Sequence, residues 1–257
     1  MSDDHTRRVQ SQFGPTAAAY VASADHAGGE DLDQLVTWGR GKAPRRVLDL
    51  ATGGGHTALA FAALARELTA MDVTEPMLRA ARGLLRERGI AHVRFVAGDV
   101  ARLPFADNAF EVVTCRLAAH HFADLGPAVR EVQRVLRPGG AFLVEDILGH
   151  DDAELAAFIT EVERRRDPSH LRAYRAAEWK ALLRGAGLTV MDSVVLSKSR
   201  PWDDWVRRMR MTDAARDALE SFIRAAPARC REAFAFHIGE RIESFADRLL
   251  LLRAERD

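Results

Sequence analysis

The sequence predicts a doubly wound α/β fold, and three observations carry that expectation. From Arg45 to Leu148, short β-branched or apolar runs alternate with helical stretches. The first such run ends in Gly53-Gly54-Gly55, a cluster that opens a helix, and the second run ends in an acidic residue, Asp72. Strands joined through helical crossovers pair in parallel, with helices covering both faces of the sheet. The expected architecture is a mostly parallel, seven-stranded α/β sheet with a helical cap. Its ligand site should lie beyond the carboxyl ends of the strands, where the strand order reverses.

Taken in order, Val47-Leu48-Asp49-Leu50 is the first strand, and an alanine-rich helix runs from about His56 to Arg66. Leu68–Asp72 is the second strand. Thr74 can cap the next helix, which carries Pro76 in its first turn. The apolar residues Met77, Ala80, Ala81, Leu84 and Leu85 of that helix follow the i, i+3, i+4, i+7, i+8 stripe, and Gly89 closes it. Val93–Ala97 and Glu111–Cys115 are the third and fourth strands. A helix from about Pro127 to Leu136 stops at Pro138-Gly139-Gly140, and a fifth strand covers Ala141–Ile147.

Beyond Leu148 the alternation loosens. Asp152–Arg166 and Ala176–Arg184 read as helices, Leu188–Leu196 as a strand, Trp202–Ala225 as a helical block broken at Pro227, and Leu249–Arg253 as a last strand. We expect one domain in three parts. Residues 1–44 form an N-terminal helical cover, 45–148 the α/β core, and 149–257 the remaining strands with inserted cap helices. The cover carries Phe13, Tyr20 and Trp38, which favours its folding back over the core.

Composition narrows the function classes. The 257 residues include 37 Lys and Arg against 37 Asp and Glu, so the net charge is zero. Affinity built on neutralising phosphates needs a basic surface, which argues against a nucleic-acid partner. The runs Arg164-Arg165-Arg166 and Arg207, Arg208, Arg210 accordingly read as solvated helix faces. Cys115 and Cys230 make neither a disulfide framework nor a CxxC metal pair. The start of the chain is polar, and the longest apolar run, Ala58–Ala65, falls short of a membrane span. A soluble, cytoplasmic protein is the expectation; the composition leaves its oligomeric state open.

The chemistry sits in the loops after the strands. Gly53, Gly55 and Ala58 fit G-x-G-x-x-G/A, in which glycines let the backbone approach a ligand closely. Asp72 follows Gly53 by 19 residues, the spacing of a carboxylate that holds ribose hydroxyls; a helix-capping aspartate is the ordinary alternative. Asp49 interrupts an apolar strand, where an unpaired carboxylate is costly. It either orients the glycine loop, meets a cationic ligand group, or caps nearby amides. In Gly98-Asp99-Val100 the aspartate can accept from the exocyclic amine of a base while Val100 offers the ring an apolar face.

These elements, with Leu103-Pro104-Phe105 and Leu136-Arg137-Pro138-Gly139-Gly140, occur in the order seen in class I S-adenosylmethionine-dependent methyltransferases. The chain resembles their small-molecule branch, which includes the ubiquinone/menaquinone-biosynthesis C-methyltransferases. The likeness covers residues 45–148 well and the remainder loosely. Ala51 departs from it, standing where the D-x-G-x-G-x-G loop of the family has its first glycine.

The resemblance implies a Rossmann-like methyltransferase fold, S-adenosylmethionine as cofactor and a small-molecule methyl acceptor. It also implies roles. Asp49, Ala51, Gly53 and Gly55 would line the methionine portion, and Asp72 would take the ribose hydroxyls. Val73 and Met77 would flank the adenine, whose amine edge and face Asp99 and Val100 would hold. Arg116 would sit near the sulfonium, and Tyr20 would belong to the cover.

His120 and His121 follow the fourth strand and so lie where an acceptor would enter; either could act as general base, or simply pack. A metal site is not expected, because adjacent histidines point apart and no third ligand is evident. Trp202, Trp205 and Met209 share one side of a helix, as core contacts or as an apolar lid. Two other classes share the glycine loop and the acid: an NAD(P)-dependent oxidoreductase and a non-catalytic nucleoside binder. The oxidoreductase requires neither Asp49 within the first strand nor the Gly98-Asp99-Val100 element; the sequence leaves the binder open, although an enclosing cap suggests a second ligand.

Overall fold

A computed structural model describes residues 3–257. Four helices precede the sheet: α1 (Asp3–Phe13), α2 (Ala17–Val21), α3 (Ala24–Ala27) and α4 (Glu30–Gly41). The chain then alternates through β1 (Arg46–Leu50), α5 (His56–Ala62), β2 (Glu67–Asp72), α6 (Glu75–Glu87), β3 (Val93–Ala97), β4 (Phe110–Arg116), α7 (Leu125–Val135) and β5 (Leu136–Ile147). A one-turn 3-10 helix, Ala119–His121, interrupts the connection from β4 to α7. The C-terminal part comprises α8 (Ala153–Arg166), α9 (Ala176–Gly185), β6 (Leu188–Pro201), α10 (Trp202–Arg208), α11 (Asp213–Ala225), α12 (Ala228–Ala233), β7 (His237–Ile238) and β8 (Ile242–Arg256).

The sheet runs β3-β2-β1-β4-β5-β8-β6, and the two-residue β7 pairs with β8 as an eighth strand. Pairing is parallel from β3 to β5, then antiparallel where β8 meets β5 and β6. From β1 the chain winds outward through β2 to β3, then returns to lay β4 on the other side of β1. That reversal opens a crevice at the carboxyl ends of β1 and β4.

Period-two alternation sends neighbouring strand residues to opposite cores. Leu48 and Leu50 of β1 pack with Val129 and Val132 of α7 and Trp179 of α9, whereas Val47 packs on the other face with Phe61 of α5, Leu85 of α6 and Leu35 of α4. A third apolar cluster is distinct from those two. It joins Phe158 and Val162 of α8, Trp202 and Trp205 of α10, Ile223 of α11 and Phe245 of β8, and it is the cap. The indole nitrogen of Trp202 donates to Glu220 at 3.0 Å, so its one polar atom is met inside that cluster.

Several boundaries differ from expectation for local reasons. The first crossover helix ends at Ala62 rather than Arg66, because Leu64 and Ala65 both turn back onto the Phe61 carbonyl before β2 begins. The block Trp202–Ala225 is two helices, not one. Arg210 takes a left-handed φ of 54°, and the Thr212 hydroxyl caps a new helix by accepting from the Ala215 amide at 3.2 Å. Backbone pairing of Phe110 with Leu136 starts β5 at Leu136, so Pro138-Gly139-Gly140 forms a bulge within the strand. Among the described residues, no helix is long and apolar enough to cross a membrane.

Candidate functional site

A cavity of about 880 Å³, counting its mouth, opens at the crevice between β1 and β4. Its floor is the loop after β1 (Ala51–Gly54), its walls are Asp72–Thr74 after β2 and Asp99 and Val100 after β3, and Arg116–Ala118 after β4 closes one side. Phe13, Tyr20 and His26 of the N-terminal segment cover it. The cover is pinned to those loops: Gln10 donates to the Val73 carbonyl at 2.8 Å, and the Tyr20 carbonyl lies 3.0 Å from His56 Nε2. The Gly54 backbone sits so close beneath Tyr20 that a Cβ there would lie 3.1 Å from the Tyr20 carbonyl.

The Asp72 carboxylate organises the floor. One oxygen accepts from the Gly53 amide at 2.9 Å and the other from the Thr74 amide at 2.8 Å. Burial raises its pKa, while those two amides oppose the rise. Each oxygen keeps a second lone pair for a ligand hydroxyl. Thr74 occupies the N-cap position of α6 but, contrary to the sequence expectation, makes no capping bond. Its Oγ1 is buried and makes no well-formed hydrogen bond, although it is near enough to Asp72 to help hold that carboxylate's pKa down.

Backbone strain gathers here too. Ala51 and Leu117 both line the cavity with left-handed φ values of 50° and 54°. A non-glycine residue held so costs roughly 1–3 kcal/mol and marks places where the surroundings over-determine the backbone. Ala51 thus adopts the conformation that a glycine would take without strain.

Two of the expected residues stand behind the cavity instead of on it. Asp49 is buried and binds the hydroxyls of Thr52 at 2.6 Å and Thr114 at 2.7 Å. Thr114 is its register partner on β4, and Thr52 carries the contact forward to the cavity wall. Burial pushes Asp49 up to about 6, against the pull of those hydroxyls and Arg116. Gly55 (φ 88°) is a packing glycine: a Cβ there would sit 2.8 Å from the Ala81 Cβ of α6. Val73, Met77, Asp99 and Val100 do line the cavity, and Asp99 also accepts from the Ala101 amide at 2.9 Å. Arg116 reaches the cavity, but its guanidinium is committed to Glu145 at 2.8 Å, Asp31 at 2.5 Å and the His26 carbonyl at 3.0 Å.

A second chamber, about 500 Å³ with its mouth, adjoins the first through Phe13, Tyr20, His26, Leu117 and His121. Here the two expected histidines separate in character. His120 Nδ1 lies 2.5 Å from Asp146 Oδ1; burial disfavours its charged form, yet the carboxylate outweighs burial and its pKa is raised. His121 shares Nδ1 with the Ser169 carbonyl at 3.1 Å, and burial together with neighbouring His120 lowers it to about 4. His170 stacks 5.1 Å from His120, and burial holds it well below the usual histidine range. Among the described residues no group of three His, Cys, Asp or Glu is placed to hold a metal ion.

The arginine runs need correction. Arg166 and Arg208 are buried in this chamber rather than solvated. Arg166 lies 4.4 Å from the Trp205 ring and donates to the Trp205 carbonyl at 3.0 Å, while Arg208 donates to Ser23 at 2.6 Å and Asp25 at 3.1 Å. Trp205 and Met209 line the chamber, whereas Trp202 is wholly within the cap core. Sequence reasoning missed Asp146, Glu163, Asp31 and Glu145. The acids Glu145 and Asp146 inside the apolar run of β5 were a usable signal, of the same kind as Asp49; Asp31 and Glu163 sit on ordinary-looking helices and offered none.

The chain is similar to known methyltransferases. A methyltransferase-domain family profile matches residues 48–144. The Bacillus subtilis methyltransferase YcgJ, itself described as uncharacterized, is 38% identical over 199 residues, spanning 77% of this chain and 79% of that one. The crystal structure of YcgJ superposes with a TM-score of 0.83 at 33% identity, covering 88% of this chain and 97% of that chain. A candidate methyltransferase from Bacillus halodurans gives a TM-score of 0.85 at 35% identity, over 89% of this chain and 99% of that chain. The demethylmenaquinone methyltransferase of Thermus thermophilus is 45% identical over 105 residues, 40% of this chain and 47% of the relative.

Proposed function

The chain belongs to the class I S-adenosylmethionine-dependent methyltransferases, and from that premise we propose that it methylates a small-molecule acceptor at oxygen or activated carbon. The observation that carries this reading is the junction of two chambers. One has the adenosine-binding set of Asp72, Asp99 and Val100 at the strand ends, and the other holds a histidine–carboxylate pair.

The residues present suit the cofactor. Asp72 offers free lone pairs to ribose hydroxyls. Val73, Met77 and Val100 provide apolar faces for the base, with Asp99 near its amine edge. The left-handed Ala51-to-Gly53 turn brings bare backbone to the methionine end. S-adenosylmethionine, when bound, supplies an electrophilic methyl group on a positively charged sulfur.

The protein then has three tasks. Tyr20, Phe13 and His26 exclude water from the junction. The second chamber would hold the acceptor against the cofactor's methyl group, and that positioning is the main source of rate. His120, oriented by Asp146, accepts the acceptor's proton at Nε2, which makes no hydrogen bond among the described residues. His120 would thus take the proton that the acceptor loses when it is methylated. His121, committed to Ser169 and lowered to about 4, stays neutral and shapes the passage.

Isothermal titration with S-adenosylmethionine, S-adenosylhomocysteine and NAD(P) tests the cofactor. Asp72→Ala should weaken binding of the first two by roughly 100-fold or more, since two charge-assisted hydroxyl contacts are each worth about 1.5–3 kcal/mol. Unchanged affinity removes the ribose role, and binding of NAD(P) alone removes the methyl-transfer reading.

A further inference from the structure

We infer that the methyl acceptor is a small organic acid, its carboxylate seated on the open edge of Arg208 and a hydroxyl or amine of its body bonded to Glu163. This rests on the methyl-transfer reading and names the substrate class. Arg208 is 8% exposed. Its Nη1 is fully used, by Ser23 Oγ at 2.6 Å, Asp25 Oδ2 at 3.1 Å and His26 Nδ1 at 3.2 Å. The opposite edge is not: Nε is buried with no partner, and Nη2 makes no hydrogen bond among the described residues. The Nε–Nη2 edge of a guanidinium is a fork that matches a carboxylate through two parallel bonds. A buried donor left without an acceptor is costly, so an unmet Nε on an arginine that lines the chamber points to a ligand anion.

The surrounding charges agree. Asp25, the one carboxylate bonded to Arg208 among the described residues, also serves Arg200 at 2.6 Å and Lys198 at 3.4 Å, and of these three cations Arg208 alone has no second carboxylate there, since Lys198 also meets Asp31 at 3.0 Å. Arg200 is further occupied by Asp247 at 2.8 Å. Burial and the nearby Arg166 and Arg200 guanidinia destabilise the charge on Arg208, a strain that an added anion relieves. Asp167 also faces the chamber, but Ser169 holds one of its oxygens through both amide and hydroxyl. His120, His121 and His170 complete the wall.

Glu163 supplies the second point. It is 3% exposed. Its Oε2 lies 3.7 Å from Arg166, while Oε1 is buried with no partner. Burial pushes it up to about 7, so it does not stand as a full negative charge against an incoming acid. Arg208 and Glu163 therefore present one unmet donor and one unmet acceptor on the same chamber wall, beside Trp205 and Phe13. A molecule with a carboxylate and a hydroxyl or amine satisfies both; a long neutral hydrocarbon satisfies neither.

The full-length protein, saturated with S-adenosylhomocysteine, should be titrated with glycolate, lactate, salicylate and 4-hydroxybenzoate, and with the carboxamide of each. At least one acid should bind, tenfold or more tighter than its amide. Arg208→Gln should abolish that preference, Arg208→Lys should restore part of it, and Glu163→Gln should weaken the acid while keeping the preference over the amide. Affinity for S-adenosylhomocysteine, measured first on every variant, reports that the fold persists. If that nucleoside fails to bind wild type, the cofactor reading falls, and the same acid–amide comparison on the free protein still judges Arg208. Equal binding of acid and amide overturns the inference, as does no binding of any acid.

Discussion

Replacing Asp49 with asparagine should make the protein more stable at neutral pH and worse at holding its cofactor. Asp49 is 1% exposed in the middle of β1, and burial pushes it from 3.8 up to about 6. A rise of about 2 units at about 1.36 kcal/mol each makes the ionised form cost about 3 kcal/mol. The folded pKa lies above the unfolded one, so this contribution favours folding fully below about pH 4 and is lost as pH rises through about 6. Asparagine keeps one oxygen for Thr52, and the Thr114 hydroxyl can turn to the Leu48 carbonyl, 3.4 Å away.

Urea unfolding of both proteins at pH 4 and pH 7.5 measures the effect. The variant should gain about 2–3 kcal/mol on wild type between those two pH values. A difference that does not change with pH would falsify the placement of an ionised Asp49 in the core. An anion held at such cost suits a cationic partner. The variant should bind S-adenosylmethionine roughly tenfold more weakly, about 1.4 kcal/mol, and S-adenosylhomocysteine, which lacks the sulfonium charge, almost as before. Equal losses for the two would mean that Asp49 only positions Thr52.

Other expectations follow from single contacts. His120→Gln should lower kcat by roughly 10²–10⁴ with little change in cofactor affinity. In wild type kcat should climb with pH through a midpoint above 6.5, because Asp146 raises His120 and only its neutral form accepts a proton; Asp146→Asn should move that midpoint down. A flat pH profile, or one that Asp146→Asn leaves unmoved, assigns the proton to another base. Gly55→Ala should destabilise by about 2–4 kcal/mol, combining a left-handed alanine with overpacking against Ala81. In a double-mutant cycle Ala81→Gly should recover the packing share alone, and simple additivity would rule out the clash.

How much of this was open to reading from the chain depended on the range of the interaction involved. The five parallel strands, their crossovers and the loops at their ends follow from periodicities confined to neighbouring residues. Asp72, Asp99 and Val100 were therefore placeable on the cavity wall before any coordinates. Gly55 and Thr74 show the limit of that reasoning. Both sit at the expected loop, but whether each faces ligand or helix depends on α6 packing above them.

Polar pairing across long separations left no local trace. Arg116 meets Asp31 across 85 residues and Arg208 meets Asp25 across 183, so nothing near either arginine distinguishes it from a solvated one. The cap behaved likewise: helical periodicity marked its helices, yet only folding decided that Arg166 and Arg208 point inward with Glu163. Local backbone preference and hydrophobic period thus determined from sequence alone that a ligand crevice would form beyond β1. The second chamber was decided by tertiary structure, because its charges come from α3, α8, β6 and α10, and burial changes what each of them does.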